Sequence, residues 1–440
     1  MHALATDLYE LNMAASYLRR GMTAPATFSL FVRSLPPNRG FLVAAGIQSC
    51  LDLLDEFRFE EEDLRYLRDT LRFTDGDLDA FARLRFTGDV WAIPEGRVAL
   101  AGEPLVEVTA PLPEAQLIET FFLNRVTFET TIATKAARCV VAAGGRDVVD
   151  FSFRRTHGIE AGIDVARLSA MVGFVATSNV EAARRHGLTA AGTMAHSYIE
   201  AFSNETGAFR AFAQDFPDRT TFLVDTYNTM HGIRRAIAVI KELGLGGRLG
   251  IRLDSGDLAE LARRGRRELD RAGLSSVRIF VSGGLDELAI HRLVKARAPV
   301  DAFGVGTRMG VAADHPYLDT AYKLVSYGGR PVMKLSSGKV TAPGRKQVFR
   351  RARPFGDLVG LHDEALPRGR ERVLEPMMLK GSRRAPRAPI AESRTRFESD
   401  LALLPAGALE LRRPKPPSAR PSSALRLLTS ETRRKLTVKP

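Results

Sequence analysis

The chain has 440 residues, 45% of them hydrophobic and 26% charged, with a formal net charge of +13. These values predict a globular protein of two or three domains with a sizeable core. The two cysteines, Cys50 and Cys139, are too few for a disulfide framework or a four-cysteine zinc site, and no run reaches the ~18 apolar residues of a membrane span. The first residues show no signal-peptide pattern, so we expect a cytoplasmic protein.

The positive charge is compatible with three kinds of partner: nucleic acid, a membrane surface and phosphorylated small molecules. Much of the excess lies in the last quarter of the chain, in segments such as KGSRRAPRAP and LRRPKPPSARP. No RNA-binding aromatic signature or zinc-finger spacing accompanies these arginines. We therefore interpret them as a basic and partly flexible surface, and not as a nucleic-acid-binding arm.

Helix and strand patterns alternate without a regular period in residues 1–130, which we assign to a mixed α+β N-terminal domain. Apolar residues at helical spacing predict a helix over 8–21, and alternation predicts a strand over 26–36. Residues 88–112, interrupted by glycine and proline, predict several short strands. A long helix over 114–144, with a break in its middle, leads into the next domain.

Short apolar segments that end in polar residues alternate with amphipathic helix patterns in residues 131–320. Strands that alternate with helices indicate parallel βαβ units, and this number of them predicts an irregular α/β barrel. Residues 321–365 predict strands around a basic loop that return to the N-terminal domain, and residues 366–440 are an Arg/Pro-rich segment that we expect to be partly flexible. The strand-like segments of the barrel are 147–152, 173–178, 188–195, 220–226, 248–255, 277–283 and 301–307.

The carboxyl ends of the predicted strands carry the candidate functional residues, because ligands of such barrels bind at that end. Arginines pair with phosphate oxygens, carboxylates hold Mg²⁺ or ribose hydroxyls, and backbone N–H groups of glycine loops bind phosphate. This mixture predicts a site for a phosphorylated, Mg²⁺-bound sugar. Its members are Asp150, Arg154, Arg155, Ser178, His196, Asp225, Arg252, Asp254 and Ser255, with Gly283, Gly284, Gly306 and Thr307 in the glycine loops.

A series of motifs extends from residue 6 to about residue 350: TDLYELNM, FSLFVRSLPPNRGF, TTIATKAAR, DFSFRRTHG, ATSNV, GTMAHS, VDTYNT, GIRLDSGDL, SGGLDE, FGVGT and KLSSGKVTAPGRKQV. In this order they resemble the nicotinate phosphoribosyltransferases. The resemblance implies a type II phosphoribosyltransferase that forms a homodimer with active sites completed across the interface. It also implies a reaction of NAD biosynthesis, in which nicotinate and phosphoribosyl pyrophosphate give nicotinate mononucleotide and pyrophosphate, with Mg²⁺ as cofactor and ATP as a co-substrate whose hydrolysis is coupled to synthesis.

The resemblance assigns the chemistry of ATP coupling to two residues. His196, in GTMAHS, matches the family's histidine that ATP phosphorylates, and Asp225, in VDTY, matches the carboxylate that orients this histidine. An imidazole nitrogen is a nucleophile near neutral pH when a hydrogen bond holds the other nitrogen, which agrees with the assignment. The alternative is a histidine with a purely structural role in a βα loop.

The resemblance also assigns the substrate contacts. Phe151 resembles the aromatic residue that stacks on the pyridine ring, with ordinary core packing as the alternative, and Tyr9 resembles the stacking partner from the second subunit. Arg154 and Arg252 match positions that contact the phosphoribosyl substrate and the pyridine carboxylate. Asp254 and Ser255 match ribose contacts, whereas phosphate or pyrophosphate contacts are expected from Gly283, Gly284, Gly306, Thr307, Arg33, Lys334 and Lys339, the last three with ordinary surface charge as the alternative.

Ser178 bears on the choice between nicotinate and nicotinamide. The related nicotinamide phosphoribosyltransferases have an aspartate here, which accepts hydrogen bonds from the amide, whereas a serine hydroxyl donates to a carboxylate. The sequence therefore predicts a nicotinate phosphoribosyltransferase, with a nicotinamide-specific enzyme as the alternative. The alternative of another class is a basic nucleic-acid-binding protein on the same fold, whose salt-dependent DNA or RNA affinity would disappear on deletion of the region after residue 365.

Overall fold

The structure, a computed structural model, describes residues 3–336 and 341–437. The chain divides into two compact units. One comprises Met1–Thr134 together with Tyr317–Pro440, and we call it the mixed unit. The other comprises Lys135–Pro316, and we call it the half-barrel unit. None of the helices in the described ranges is both long enough and apolar enough to cross a membrane.

The first part of the mixed unit contains both helices and strands, as the sequence predicts. The predicted long helix over 114–144 is interrupted at Ile118 and is continuous through its middle. The residue at the interruption, Ile118, is apolar and buried in the core. Because it is neither glycine nor proline, the sequence does not mark the position of the interruption. The elements are α1 (Leu8–Arg19), β1 (Pro25–Val32), β2 (Leu42–Val43), α2 (Ile47–Glu56), α3 (Glu61–Asp69), α4 (Asp75–Arg83), β3 (Asp89–Ala92), β4 (Val98–Ala99), β5 (Pro104–Pro111), α5 (Leu112–Leu117) and α6 (Glu119–Ala143).

The half-barrel unit begins within α6 and continues as parallel strands that alternate with helices. Its six-stranded sheet has the order β7-β6-β11-β10-β9-β8, and every described pair within it is parallel. The predicted α/β fold class is therefore confirmed, with a half-barrel sheet. The elements are β6 (Asp147–Asp150), α7 (Ile159–Met171), β7 (Ala176–Thr177), α8 (Val180–His186), α9 (His196–Glu200), α10 (Glu205–Asp215), β8 (Thr221–Leu223), α11 (Thr229–Glu242), β9 (Gly250–Leu253), α12 (Leu258–Arg271), β10 (Arg278–Val281), α13 (Glu287–Lys295), β11 (Ala302–Val305) and α14 (Thr307–Gly310).

Polar residues of the βα loops start several of these helices. The side chains of Asn179, Asn228, Asp257 and Asp286 accept hydrogen bonds from the backbone N–H groups at the first turns of α8, α11, α12 and α13. Such caps satisfy backbone donors that a helix leaves free, and each is worth about 1 kcal/mol. Part of the polar character at the strand ends is therefore structural.

Residues 188–195 do not form the predicted strand. Their link to the sheet in the described chain is an isolated bridge between Thr177 and Ala190. The run Ala-Ala-Gly at 190–192 has low strand propensity, which accounts for the difference. The segment instead leads to α9, whose first residue is His196.

The chain returns to the mixed unit after residue 316. Strand β12 pairs with β1, in a seven-stranded sheet of order β13-β12-β1-β5-β3-β17-β18, and β14 and β15 belong to a second sheet of order β16-β14-β15-β19. These elements are β12 (Thr320–Tyr327), β13 (Arg330–Pro331), β14 (Lys346–Arg351), β15 (Gly356–Leu361), β16 (Glu371–Arg372), β17 (Glu375–Leu379), β18 (Ser382–Arg383), α15 (Ile390–Leu401), β19 (Ala419–Pro421) and α16 (Ser423–Thr437).

The Arg/Pro-rich segment after residue 366 thus contains regular elements. Phe397 of α15 is fully buried, and the buried Asp400 accepts hydrogen bonds from Arg350 Nη1 at 2.8 Å and Arg97 Nε at 2.9 Å. Removing one partner of such a buried ion pair costs about 3–5 kcal/mol, so Asp400 fastens α15 to the core of the mixed unit.

Candidate active site

Two cavities lie at the carboxyl ends of the half-barrel strands. The first, which we call the histidine cavity, has a volume of about 360 Å³ and is lined by Phe151, Ser178, His196 and Arg252 among others. The second, the glycine cavity, has a volume of about 190 Å³ and is lined by Arg154, Arg155, Gly283, Gly284, Gly306 and Thr307 among others. The two cavities share Phe151, Arg154, Arg252 and Asp254, so they are adjacent parts of one candidate site.

Backbone hydrogen bonds continue the sheet beyond the strand ends and fix this site. The N–H of Phe151 donates to the carbonyl of Val305 at 2.8 Å, and the N–H of Ser178 donates to that of Asp150 at 2.8 Å. Side chains of a strand alternate between the two faces of a sheet, so this pairing sets which residues face the cavity. Phe151 faces it, and its ring lies 5.5 Å from the Phe280 ring and 5.5 Å from the Arg252 guanidinium carbon.

The Arg252 side chain is held by hydrogen bonds from each of its three nitrogens. Nε donates to Ser282 Oγ at 2.8 Å, Nη1 to Thr193 Oγ1 at 2.9 Å, and Nη2 to Asp254 Oδ1 at 2.6 Å. The guanidinium also lies over the Phe151 ring. Arg252 is therefore a preorganised cation beside an aromatic face, an arrangement that suits a planar aromatic carboxylate.

Asp254 is ionised in this setting. Burial raises the pKa of its carboxyl. Hydrogen bonds from Ser282 and Arg252, together with the charges of Arg252 and His196, lower the pKa by more than burial raises it, so the net pKa is below the ordinary aspartate value. Asp254 thus presents a negative charge between the two cavities near neutral pH.

His196 is half-buried, and its Nδ1 lies 3.1 Å from Thr226 Oγ1. The carboxylate predicted to orient His196, that of Asp225, instead accepts hydrogen bonds from Ser255 Oγ at 2.6 Å and from the backbone N–H of Asp254 at 2.9 Å. The residue that contacts the imidazole in this structure is therefore the one after Asp225. Residues 224–226 follow the end of β8. Successive side chains point in opposite directions there, so Asp225 and Thr226 face different sides.

The glycine loops have backbone conformations that other residues rarely adopt. Gly283 and Gly284 have φ angles of 92° and 62°, and a Cβ atom on Gly283 would collide with the carbonyl oxygen of Asp254. Glycine is thus required for the close approach of this loop to β9. Arg154 and Arg155 are exposed and line the same cavity. They place positive charge beside loop backbone that no glycine side chain covers.

Asp150 is not part of the open site. Its carboxylate is fully buried and accepts hydrogen bonds from Ser152 Oγ at 2.6 Å and Thr177 Oγ1 at 2.7 Å, and burial raises its pKa. Its strand register turns the side chain away from the cavity, and its role is to hold neighbouring strand ends together.

Three hydroxyl residues of the site were not predicted from the sequence: Thr193, Thr226 and Ser282. Thr193 and Ser282 hold Arg252, and Thr226 contacts His196. All three lie in the motifs GTMAHS, VDTYNT and SGGLDE, next to residues with more evident chemistry. No pattern in a single sequence distinguishes such hydroxyls from those that only cap a loop.

Comparison with known proteins identifies the family. Residues 4–127 match the family model for the nicotinate phosphoribosyltransferase (NAPRTase) N-terminal domain, and residues 147–352 match the model for the nicotinate phosphoribosyltransferase (NAPRTase) family. Nicotinate phosphoribosyltransferase pncB2 of Mycobacterium tuberculosis is 50% identical over 391 residues, which cover 88% of this chain and 84% of the relative. The chain belongs to the nicotinate phosphoribosyltransferase family.

Further relatives extend this result. The nicotinate phosphoribosyltransferase of Bacillus subtilis is 41% identical over 376 residues, covering 82% of this chain and 76% of the relative. The crystal structure of human nicotinic acid phosphoribosyltransferase has a TM-score of 0.86 and 29% identity, and the match covers 97% of this chain and 99% of that chain. Family membership, predicted from the motifs, is confirmed.

Several residues that the family resemblance assigns to substrates belong to the mixed unit. Tyr9 on α1 is 48% exposed, and Arg33 forms an ion pair with Asp319 at 3.6 Å and lines a cavity of about 360 Å³ within that unit. Lys334 is exposed in a segment without regular structure. Lys339 lies outside the described residues. The residues that the structure brings together in the half-barrel unit of this nicotinate phosphoribosyltransferase family member are Phe151, Arg154, Ser178, His196, Asp225, Arg252, Asp254, Ser255, Gly283, Gly284, Gly306 and Thr307.

Proposed function

We propose that the protein transfers the 5-phosphoribosyl group from phosphoribosyl pyrophosphate to nicotinate, giving nicotinate mononucleotide and pyrophosphate in NAD biosynthesis. The observation that carries this proposal is the fixed Arg252 over Phe151, at the junction of the histidine and glycine cavities. The histidine cavity suits a planar aromatic carboxylate, and the glycine cavity suits a phosphorylated sugar. Asp254 lines both cavities. The family relatives that carry this activity in their names support the same conclusion.

Nicotinate would stack on Phe151 with its carboxylate directed to Arg252 and Ser178. The guanidinium supplies charge-assisted hydrogen bonds, and the serine hydroxyl donates another. This arrangement prefers nicotinate to nicotinamide, since the amide brings no negative charge to Arg252. Turnover of the acid against the amide tests this preference.

Phosphoribosyl pyrophosphate would occupy the glycine cavity, with its phosphates on Arg154, Gly283, Gly284, Gly306 and Thr307. Asp254 and Ser255 would contact ribose hydroxyls. The pyridine nitrogen attacks C1 of the ribosyl group while the C1–oxygen bond to pyrophosphate breaks, through a transition state with oxocarbenium character. The ring nitrogen carries no proton to remove, so the chain's contribution is to position both substrates and neutralise the leaving charge.

The residues present fit a magnesium ion that accompanies the pyrophosphate. Oδ1 of Asp225 is buried and has no hydrogen-bond partner among the described residues, and the nearby Asp254 is ionised. The described residues contain no group of three or more His, Cys, Asp or Glu side chains that could hold a metal ion by themselves. Mg²⁺ is commonly bound by one or two carboxylates together with substrate phosphates, so Asp225 and Asp254 would hold it. When bound, it supplies positive charge to the pyrophosphate.

ATP hydrolysis would be coupled to the transfer through His196. A nitrogen of the imidazole attacks the γ-phosphorus of ATP, the bond to ADP breaks, and the resulting phosphohistidine is later hydrolysed to phosphate. The hydrogen bond between Nδ1 and Thr226 supports this role because it fixes the ring. The phosphohistidine would strengthen phosphoribosyl pyrophosphate binding.

A His196→Ala variant tests the coupling. We expect it to lose incorporation of label from γ-phosphate-labelled ATP and to lose ATP stimulation, while slow transfer without ATP continues because the proposed nicotinate contacts are Phe151, Ser178 and Arg252. Retention of both labelling and stimulation would exclude His196 as the phosphoacceptor.

The active site would be completed in a homodimer by Tyr9, Arg33 and Lys334 of the partner subunit. The exposure of Tyr9, with the neighbouring Leu8 also 48% exposed, supports this arrangement. We expect Tyr9→Ala and Arg252→Ala to be inactive separately and to recover roughly a quarter of wild-type activity when co-refolded, because half of the dimers then hold one intact site. No recovery in dimers that do exchange subunits would show that each chain builds its site alone.

A further inference from the structure

A third cavity, of about 670 Å³, lies on the inner face of the half-barrel sheet and extends toward the amino ends of the strands. We call it the lumen. Residues of all six strands line one side of it, among them Val149, Gly250, Phe280 and Ala302, and Phe212 of α10 and Phe216, just after α10, line the other. The lumen shares Phe151, Ser178, Gly192 and Thr193 with the histidine cavity. The lumen therefore adjoins the proposed pyridine site.

Small residues keep the lumen open. Gly250, Ala176 and Ala302 occupy inward positions at which β-branched or aromatic residues would fill the space. The outward positions of the same strands are large and fully buried, for example Ile251 and Phe303. The sheet is thus packed on its outer face and left unfilled on the amino half of its inner face.

The amino-end mouth of the lumen is basic. Arg219, Arg248 and Arg278 line it together with one carboxylate, that of Asp147, which forms an ion pair with Arg278 at 2.6 Å. Arg219 lies over the Phe216 ring at 5.0 Å, and neither Arg219 nor Arg248 forms an ion pair with a residue of the described ranges. All three arginines are exposed, and Arg219 and Arg248 present positive charge to solvent at the mouth.

We propose that the lumen is a second route by which nicotinate reaches the pyridine site. The inference rests on the proposed transferase function. Its chemistry suits an aromatic monocarboxylate: the arginines attract the carboxylate at the mouth, and the rings of Phe212, Phe216 and Phe280 offer aromatic faces along the path. The path ends where Phe151 and Ser178 belong to both cavities.

This route has a kinetic consequence. Phosphoribosyl pyrophosphate bound on the glycine cavity and Arg154 obstructs the carboxyl end of the half-barrel, which is the other approach to Phe151. The lumen lets nicotinate bind after phosphoribosyl pyrophosphate, so an enzyme already loaded with the sugar substrate still captures nicotinate.

The test is a rapid-quench single-turnover experiment. Enzyme saturated with phosphoribosyl pyrophosphate and Mg²⁺ is mixed with increasing nicotinate, and the second-order rate constant of mononucleotide formation is measured. For Arg219→Ala/Arg248→Ala, we expect this constant to fall about tenfold at low ionic strength and the deficit to shrink at high salt, because steering is screened. The value of kcat and the kcat/KM for phosphoribosyl pyrophosphate should remain those of the wild type.

Two further variants sharpen the test. Arg264→Ala removes one charge from the exposed surface of α12 and should leave the rate constant unchanged. Ala302→Phe narrows the lumen without changing charge and should slow capture at every salt concentration; circular dichroism and the kcat for saturating substrates check that it folds. Wild-type capture rates in both the double arginine variant and Ala302→Phe would overturn the route. A wild-type enzyme that forms no mononucleotide from nicotinate would instead refute the proposed function itself.

Discussion

Replacement of Ser178 by aspartate places a second carboxylate beside the proposed nicotinate carboxylate. Ser178 is half-buried and lines both the histidine cavity and the lumen. Two carboxylates ~5 Å apart in a medium of effective dielectric constant ~20 repel each other by roughly 3 kcal/mol. We therefore expect Ser178→Asp to lower kcat/KM for nicotinate by about 100-fold, and to lower the ratio of acid to amide turnover at least as much, since the amide can donate to the new carboxylate.

Ser178→Asn is the matched control, because asparagine has nearly the same shape as aspartate and no charge. It should lower kcat/KM for nicotinate by less than about tenfold, the size of a lost neutral hydrogen bond. Mononucleotide formation from each pyridine, measured by chromatography at saturating phosphoribosyl pyrophosphate, gives both ratios. Equal losses for the aspartate and asparagine variants, or an unchanged acid-to-amide ratio in Ser178→Asp, would refute a carboxylate at this position.

Three other substitutions test the framework of the protein. Gly283→Ala forces a side chain into a left-handed loop against a backbone carbonyl, and urea denaturation should show a loss of about 1–3 kcal/mol in unfolding free energy. Glu287→Gln breaks its buried ion pairs with Lys135 (2.5 Å) and Arg138 (3.1 Å). Asp314 still pairs with Lys135 (2.7 Å), so the loss in unfolding free energy should be about 3–5 kcal/mol, and no change in the urea midpoint would contradict this. Burial raises the pKa of Glu10 to about 7, so its contribution to stability is present at acid pH and is lost as the pH rises through that value. Glu10→Gln should consequently raise Tm relative to wild type above neutral pH but not below the ordinary glutamate pKa.

The sequence was sufficient for most of the half-barrel and its site. The strands β6 and β9 to β11 are short apolar runs followed by polar residues, and parallel pairing brings their carboxyl ends together, so Arg252, Asp254 and Gly283 could be placed at one edge from the sequence pattern. Phe151 was assigned to the site only by the family resemblance. The segment 188–195 was mistaken for a strand because apolar content does not separate a strand from an extended loop.

Details that depend on side-chain direction could not be predicted. Whether Asp225 or Thr226 faces His196 depends on how the chain turns after β8, and single-sequence patterns do not determine that turn. The elements after residue 366 were missed for another reason. The buried positions of α15, such as Phe397 and Asp400, are separated by arginines and acidic residues, and long-range partners supply much of its anchoring.

The position of Tyr9 also illustrates the limit of the sequence. Its family motif implies a substrate contact, whereas helical periodicity alone describes an ordinary amphipathic helix, of which Tyr9 is on the exposed side. Only a second copy of the chain can show what that exposed ring contacts, and the co-refolding experiment addresses this directly.

The most direct test of the central proposal is mononucleotide formation by the purified protein. It is incubated with phosphoribosyl pyrophosphate and Mg²⁺ and with nicotinate or nicotinamide, each with and without ATP. We predict nicotinate mononucleotide as the main product, formed faster with ATP, and little nicotinamide mononucleotide. No product from nicotinate, or equal turnover of the two pyridines, would contradict the account.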